Sequence, residues 1–172
     1  MHVKEHIVID LAGHAAVCRE RSPRPGGWVR VITTRQVDAF HEAGHVVAGA
    51  AVGLFPQWAI IGELRTSGGT VRGAAFITRL PEQDAGRPTL EGIIPSDFAR
   101  ATQLCQLMIG EQGWLAYMRS LWLQADAILE AHWEAVEVMA KELDRKGELD
   151  KAAIQDIFQA FHGDGPPSGP PD

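Results

Sequence analysis

The sequence predicts a mostly helical α+β domain with one small β-hairpin or sheet. Three observations carry this. Apolar residues recur at three- and four-residue spacing over long stretches, most plainly from Trp114 to about Lys146. Most of the helical stretches open on Ser, Thr or Asp or close on Gly. Only the stretch from Trp58 to Leu80 alternates around a Gly-rich turn.

Along the chain, Ile7 to Cys18 reads as a short helix with Ile7, Leu11, Ala15 and Cys18 on one side at helical spacing. It ends in the breaker cluster Arg21-Ser22-Pro23-Arg24-Pro25-Gly26-Gly27. Trp28 to Ile32 is β-branched and alternating, which predicts a short strand. Thr33 or Thr34 offers an N-cap for a helix to about Val52, closed by Gly53 and followed by Pro56. Trp58–Leu64 and Thr70–Leu80 form the hairpin, turning at Thr66-Ser67-Gly68-Gly69. The Pro- and Gly-containing segment 81–95 reads as loop, and Ser96 caps a helix through Met108 that stops at Gly110. Trp114 to Lys146 is one very long helix or two joined near His132. Gly147 ends it, Asp150 caps a last helix to about Phe161, and residues 163–172 are a disordered Pro/Gly tail.

The chain has 172 residues, enough for a single domain over 1–162: an N-terminal helix and linker (1–27), a core (28–110) and C-terminal helices (111–162). Hydrophobic residues make up 45% and charged residues 22%, as in soluble globular proteins. The net charge of -6 is dispersed, which argues against a broad nucleic-acid-binding face. Cys18 and Cys105 are far apart and in no ligand-like spacing, so both read as reduced thiols of a cytoplasmic protein. The longest mostly apolar run, Val46 to Phe55, falls short of the roughly 20 residues a membrane span needs. Asp10 and His14 interrupt the N-terminal apolar stretch, which a secretory signal would not tolerate well.

The densest chemical signal is His41-Glu42-Ala43-Gly44-His45. On a helix, residues four apart lie on one face, so His41 and His45 aim two imidazoles at one spot. That arrangement suits a tetrahedral zinc, with Glu42 beside it as base for a metal-bound water. Val46-Val47-Ala48 and Ala50-Ala51-Val52 are apolar all round, so the helix is buried. A buried face carrying two His and a Glu needs partners, and one metal ion satisfies them together. Gly44 would let another element approach closely, and Asp38 could orient His41 or simply favour the helix N-terminus. Catalytic zinc usually takes three protein ligands. Candidates for the third are Asp84, Glu91 and Asp97 downstream and His14 upstream. Asp97 starts a helix, a firmer platform than the loop holding Asp84 and Glu91.

The stretch Ala39-Phe40-His41-Glu42-Ala43-Gly44-His45-Val46-Val47-Ala48 resembles the active-site helix of FtsH-type zinc peptidases. Ser96-Asp97-Phe98-Ala99-Arg100-Ala101-Thr102 is similar to that family's later helix start, and 125–150 to its closing helices. The resemblance spans most of 34–161 and implies a helical zincin-like fold, with His41, His45 and Asp97 as zinc ligands and Glu42 as catalytic base. Two departures stand out. The 172 residues contain neither the family's ATPase module nor its membrane segments, so the resemblance does not extend to ATP-driven degradation by this chain. The family's Leu-Ala-Gly-x-Ala-Ala helix, normally between hairpin and third ligand, occurs here at Leu11-Ala12-Gly13-His14-Ala15-Ala16. The N-terminal helix is therefore expected to be permuted, with Gly13 and its alanines packed near the metal helix.

The function expected is zinc-dependent endopeptidase action on peptides or unfolded chains, alone, as a homo-oligomer or fed by a separate ATPase. The alternative is a zinc-containing binding or regulatory module without turnover. A hairpin edge near the metal could pair with an extended substrate or merely cover the core. His2, His6 and His14 read as solvated N-terminal histidines rather than a second site. Trp114, Trp122 and Trp133 read as core or interface.

Overall fold

The computed structural model describes residues 3–22, 31–66, 69–78 and 96–162. These form six helices and a three-stranded antiparallel sheet, the mostly helical α+β architecture that the periodicity predicts. The predicted tail 163–172, the loop 81–95 with Asp84 and Glu91, residues 28–30 and His2 lie outside the described residues.

Helix α1 (Val3–Arg21) carries Glu5 in its first turn and Arg19 and Arg21 in its last, which complements the helix dipole. It is longer than the predicted 7–18 and is buried on nearly every side, including Asp10 and Glu20. Helix periodicity under-reads such an element because little of its surface, chiefly around Cys18 and Arg21, reaches solvent. Ile7, Leu11 and Ala15 are buried, while Cys18, at the same helical spacing, is exposed.

Helix α2 (Thr34–Ala51) opens on a capping box. The Thr33 hydroxyl accepts from the Gln36 amide, and the Gln36 side chain accepts from the Thr33 amide at 2.9 Å. From Ala39 to Gly49 almost every residue is buried, because α1, the sheet and a later helix all pack on it.

Strands β1 (Phe55–Thr66) and β2 (Gly69–Thr78) form the hairpin, longer than predicted at its open end by Phe55-Pro56-Gln57. The register shifts between Ile61 and Leu64, where Gly62 adopts a φ of 119°. The short strand predicted at 28–32 is not found in its described part: Val31 and Ile32 belong to no strand, and Val31 is 95% exposed.

Helix α3 (Asp97–Ile109) is capped by the Ser96 hydroxyl, which accepts from Ala99 N at 3.2 Å, and ends at Gly110 with φ 81°. The long apolar stretch is two helices, α4 (Trp114–Ala131) and α5 (Trp133–Lys146), parted at His132. Gly147, left-handed at φ 85°, ends α5. It leads into β3 (Glu148–Asp150), a strand absent from the sequence expectation. β3 pairs with Trp58–Ile60, so the sheet order is β2-β1-β3 and, among the described residues, β2 forms an edge. Asp150 then caps α6 (Lys151–His162), its carboxylate accepting from Ala153 N at 2.9 Å.

Ile7 and Leu11 of α1, Val46 of α2, Leu121 and Leu129 of α4 and Leu143 of α5 are fully buried in one cluster. Trp114, Trp122 and Trp133 border it, with Trp133 stacked on Phe40 at 5.9 Å. Among the described residues no helix is long and apolar enough to cross a membrane.

Candidate metal centre

The mid-section of α2 turns His41 and His45 toward the start of α3, where Asp97 sits in the first turn. The Nε2 atoms of the two histidines are 3.0 Å apart, and Asp97 Oδ2 lies 3.1 Å from one and 3.2 Å from the other. Among the described residues these three form a group that could hold a metal ion. The histidine side chains are 19% and 7% exposed and that of Asp97 28%, so one side of the cluster is open.

The proton positions sharpen this geometry. His45 Nδ1 lies 2.7 Å from the Ile9 carbonyl, which can only accept, so Nδ1 carries the hydrogen. In the neutral ring Nε2 is then a bare lone pair facing a second imidazole nitrogen and a carboxylate oxygen. Three electron-rich atoms this close need a metal ion or protons between them. Tetrahedral zinc with bonds of about 2.0–2.1 Å would hold its ligand atoms roughly 3.3 Å apart, near the separations observed. Two imidazoles and one carboxylate suit zinc better than calcium or magnesium, which prefer all-oxygen sites. The residues present fit a zinc ion.

Without the metal, protons take its place. Burial opposes charge on His45, but Asp97 and Glu42 hold its pKa up to about 9. Burial pushes His41 down to about 4, against the pull of Asp97. Burial alone would raise Asp97, yet hydrogen bonds from both imidazoles hold it well below the usual carboxylate range.

Two glycines make the geometry possible. A Cβ at Gly13 would lie 2.6 Å from His45 Nε2 and 2.8 Å from His41 Cε1, so α1 crosses the histidines where it has no side chain. A Cβ at Gly44 would lie 2.6 Å from the Ala12 carbonyl oxygen and 2.8 Å from Ala16 Cβ. The Leu11-to-Ala16 segment thus packs against α2.

Glu42 is 5% exposed, and burial raises its carboxyl to about 8. Gly73 of β2 backs it: a Cβ there would meet Glu42 Oε1 at 2.4 Å and Cγ at 2.8 Å. Glu42 and His41 line one end of a cleft of about 430 Å³ between α1 and the first half of α2. His14, Val17, Val37 and Arg72 line it as well.

Of the two roles offered for Asp38, orienting His41 is not what the structure shows. Its carboxylate accepts from Arg72 at 3.0 Å, pinning α2 to β2. His14 is not in the ligand group either; its ring meets His41 edge-on at 4.9 Å.

The bracing of Asp97 is absent from the sequence expectation. Arg100, one turn along α3, lies 3.6 Å from Asp97 Oδ1 and grips the buried Asp10 of α1 with two hydrogen bonds. Burial raises the Asp10 carboxyl in spite of this partner. An i,i+3 acid–arginine pair is visible in Asp97 and Arg100, but nothing in the sequence points from Arg100 to Asp10.

Comparison with models of protein families, with curated proteins and with solved structures finds no match to this chain.

Proposed function

We propose that this chain is a zinc-dependent metalloendopeptidase in which Glu42 is the proton acceptor for the attacking water. The observation that carries the reading is the placement of Glu42. A buried carboxylate stands one residue from His41, on a cleft that opens beside three convergent metal-type ligands. The resemblance of this helix and of the Asp97 segment to FtsH-type peptidases supports the same assignment.

His41, His45 and Asp97 would hold the zinc. Zinc supplies Lewis acidity there, lowering the pKa of water and polarising a carbonyl oxygen. Glu42 takes the proton from water and can hand it to the leaving amine. Its raised pKa marks how strongly burial disfavours the bare carboxylate, and a neighbouring cation restores the charged form that a base needs. Ile9 fixes the His45 tautomer through its carbonyl, and Arg100 steadies Asp97 from the side away from the histidines.

The substrate reading is a peptide or a loosely folded chain. β2 pairs with β1 on one side only among the described residues, and Gly73 brings its backbone against Glu42. An extended peptide added at that edge would run past the proton acceptor, held by main-chain hydrogen bonds.

Glu42→Gln tests this. The variant should bind zinc as the parent does while cleavage of casein or of a quenched fluorescent peptide disappears. Bound zinc with no Glu42-dependent cleavage in the parent would favour a binding module instead, and absence of zinc binding would sink both readings.

A further inference from the structure

We propose that His14 is a second catalytic residue, donating a hydrogen bond to the scissile carbonyl oxygen as negative charge builds on it. This rests on the peptidase reading of the same site.

Placement is the first support. α1 crosses the metal ligands at Gly13, where no side chain fits. His14 is therefore the adjoining residue of α1 that can reach past them, and it lines the cleft together with His41 and Glu42. Orientation is the second. The His14 ring is held from two sides, edge-on to His41 with centroids 4.9 Å apart and edge-on to Phe98 at 5.8 Å. A ring wedged this way loses little freedom when it engages a ligand.

Availability is the third. His41 and His45 use their Nε2 atoms on one another and on Asp97, and Asp38 and Arg72 use each other. Among the described residues no hydrogen bond to the His14 ring nitrogens is formed, and His14 stands outside the three-residue ligand group. A cleft-lining imidazole that is neither in the ligand group nor hydrogen-bonded among the described residues can turn an N–H toward a developing oxyanion. Glu42 handles the proton and His14 the charge, so no proton leaves His14 in this role.

The test uses the zinc-loaded full chain and two variants. His14→Phe keeps a flat ring between His41 and Phe98 but has no donor. His14→Gln keeps a donor on a different frame. Four quantities are read: zinc content, kcat and KM for an unstructured peptide, and the Kd of a phosphinic peptide that presents a charged tetrahedral oxygen at the scissile position. His14→Phe is expected to keep its zinc and to hold KM within about threefold. Its kcat should fall by about 10²–10³, the loss typical of one oxyanion donor. Affinity for the phosphinic peptide should fall by a similar factor, and His14→Gln should recover part of both.

Full kcat in His14→Phe would overturn the assignment. So would a kcat loss that tracks lost zinc, or one that leaves phosphinic binding intact. A parent enzyme that neither cleaves nor prefers the phosphinic peptide over a plain one would remove the peptidase reading itself. That outcome is distinct from an active parent with an indifferent His14 variant.

Discussion

Replacing Gly13 with alanine puts one methyl group where α1 meets His41 and His45. In the present geometry that carbon would sit 2.6 Å from His45 Nε2, 2.7 Å from its Cε1 and 2.8 Å from His41 Cε1. Ordinary contact begins near 3.4 Å, so the shortfall is about 0.8 Å. Neither side yields easily. His45 is tied by its Nδ1 to Ile9, which lies on α1 itself, and α1 is closed against α2 at Ala12 and Gly44. Moving the helices apart to make room costs about 1–3 kcal/mol of packing, against roughly 1 kcal/mol gained in helix propensity. The melting temperature should therefore change little or fall by a few degrees. Zinc affinity isolates the local effect, because both imidazoles must turn. A loss on the order of 10–100-fold is expected, the size seen when groups that orient metal ligands are disturbed. Competition with a chromophoric zinc chelator reads the affinity, and a circular-dichroism melt reads the stability. A Gly13→Ala protein with parental zinc affinity and a raised melting temperature would refute the packing argument.

Three further outcomes are expected. Gly73→Ala crowds Glu42 rather than the ligands, so zinc content should stay at the parental level while kcat falls by about 10²-fold, the typical result of a 1 Å misplacement; equal losses of zinc and kcat would contradict it. Asp97→Ala should weaken zinc binding by more than the roughly 10–100-fold expected for Arg100→Met, which only removes a brace, while Asp84→Ala and Glu91→Ala leave it unchanged. A zinc titration of the four variants checks the order. In the metal-free protein Glu42 and His45 keep protons, to about pH 8 and 9, that the unfolded chain releases near 4.5 and 6.5. Stability therefore falls as pH rises through these windows. His41, lowered to about 4, acts the opposite way below 6.5, so the net loss belongs above that pH. Urea midpoints at pH 6.5 and 9 should show the drop, and Glu42→Gln should shrink it; a midpoint that rises would contradict the sign.

What the sequence shows of this fold follows from how local each signal is. Thr33, Ser96, Gly110, Gly147 and Asp150 each act within one helical turn, and each sits at the helix end where its side chain or positive φ is needed. The break at His132 is legible only as a place where the apolar pattern changes. β3 is three residues long and exists because Gly147 turns the chain back against Trp58–Ile60, which no local pattern encodes. α1 is under-read for the opposite reason, since a helix covered on most of its surface has too narrow a polar stripe to mark its bounds.

At the site, the i,i+4 histidines and the adjoining glutamate are legible because one helix holds them. Asp97 stands 52 residues beyond His45 and is found through its helix-starting position and the resemblance. The Arg100–Asp10 grip spans 90 residues, and Gly73 meets Glu42 across 31. Contacts of that kind depend on the packing of α1, α2 and β2, which the residue pattern does not disclose.

The most direct measurement is a zinc titration of chelator-stripped protein, with casein cleavage followed at each addition. Cleavage should be absent at the start, rise in proportion to added zinc and level off at about one equivalent per chain, as a single three-ligand site requires. Cleavage in the stripped protein, or a chain that takes up its zinc and never cleaves, would contradict the account.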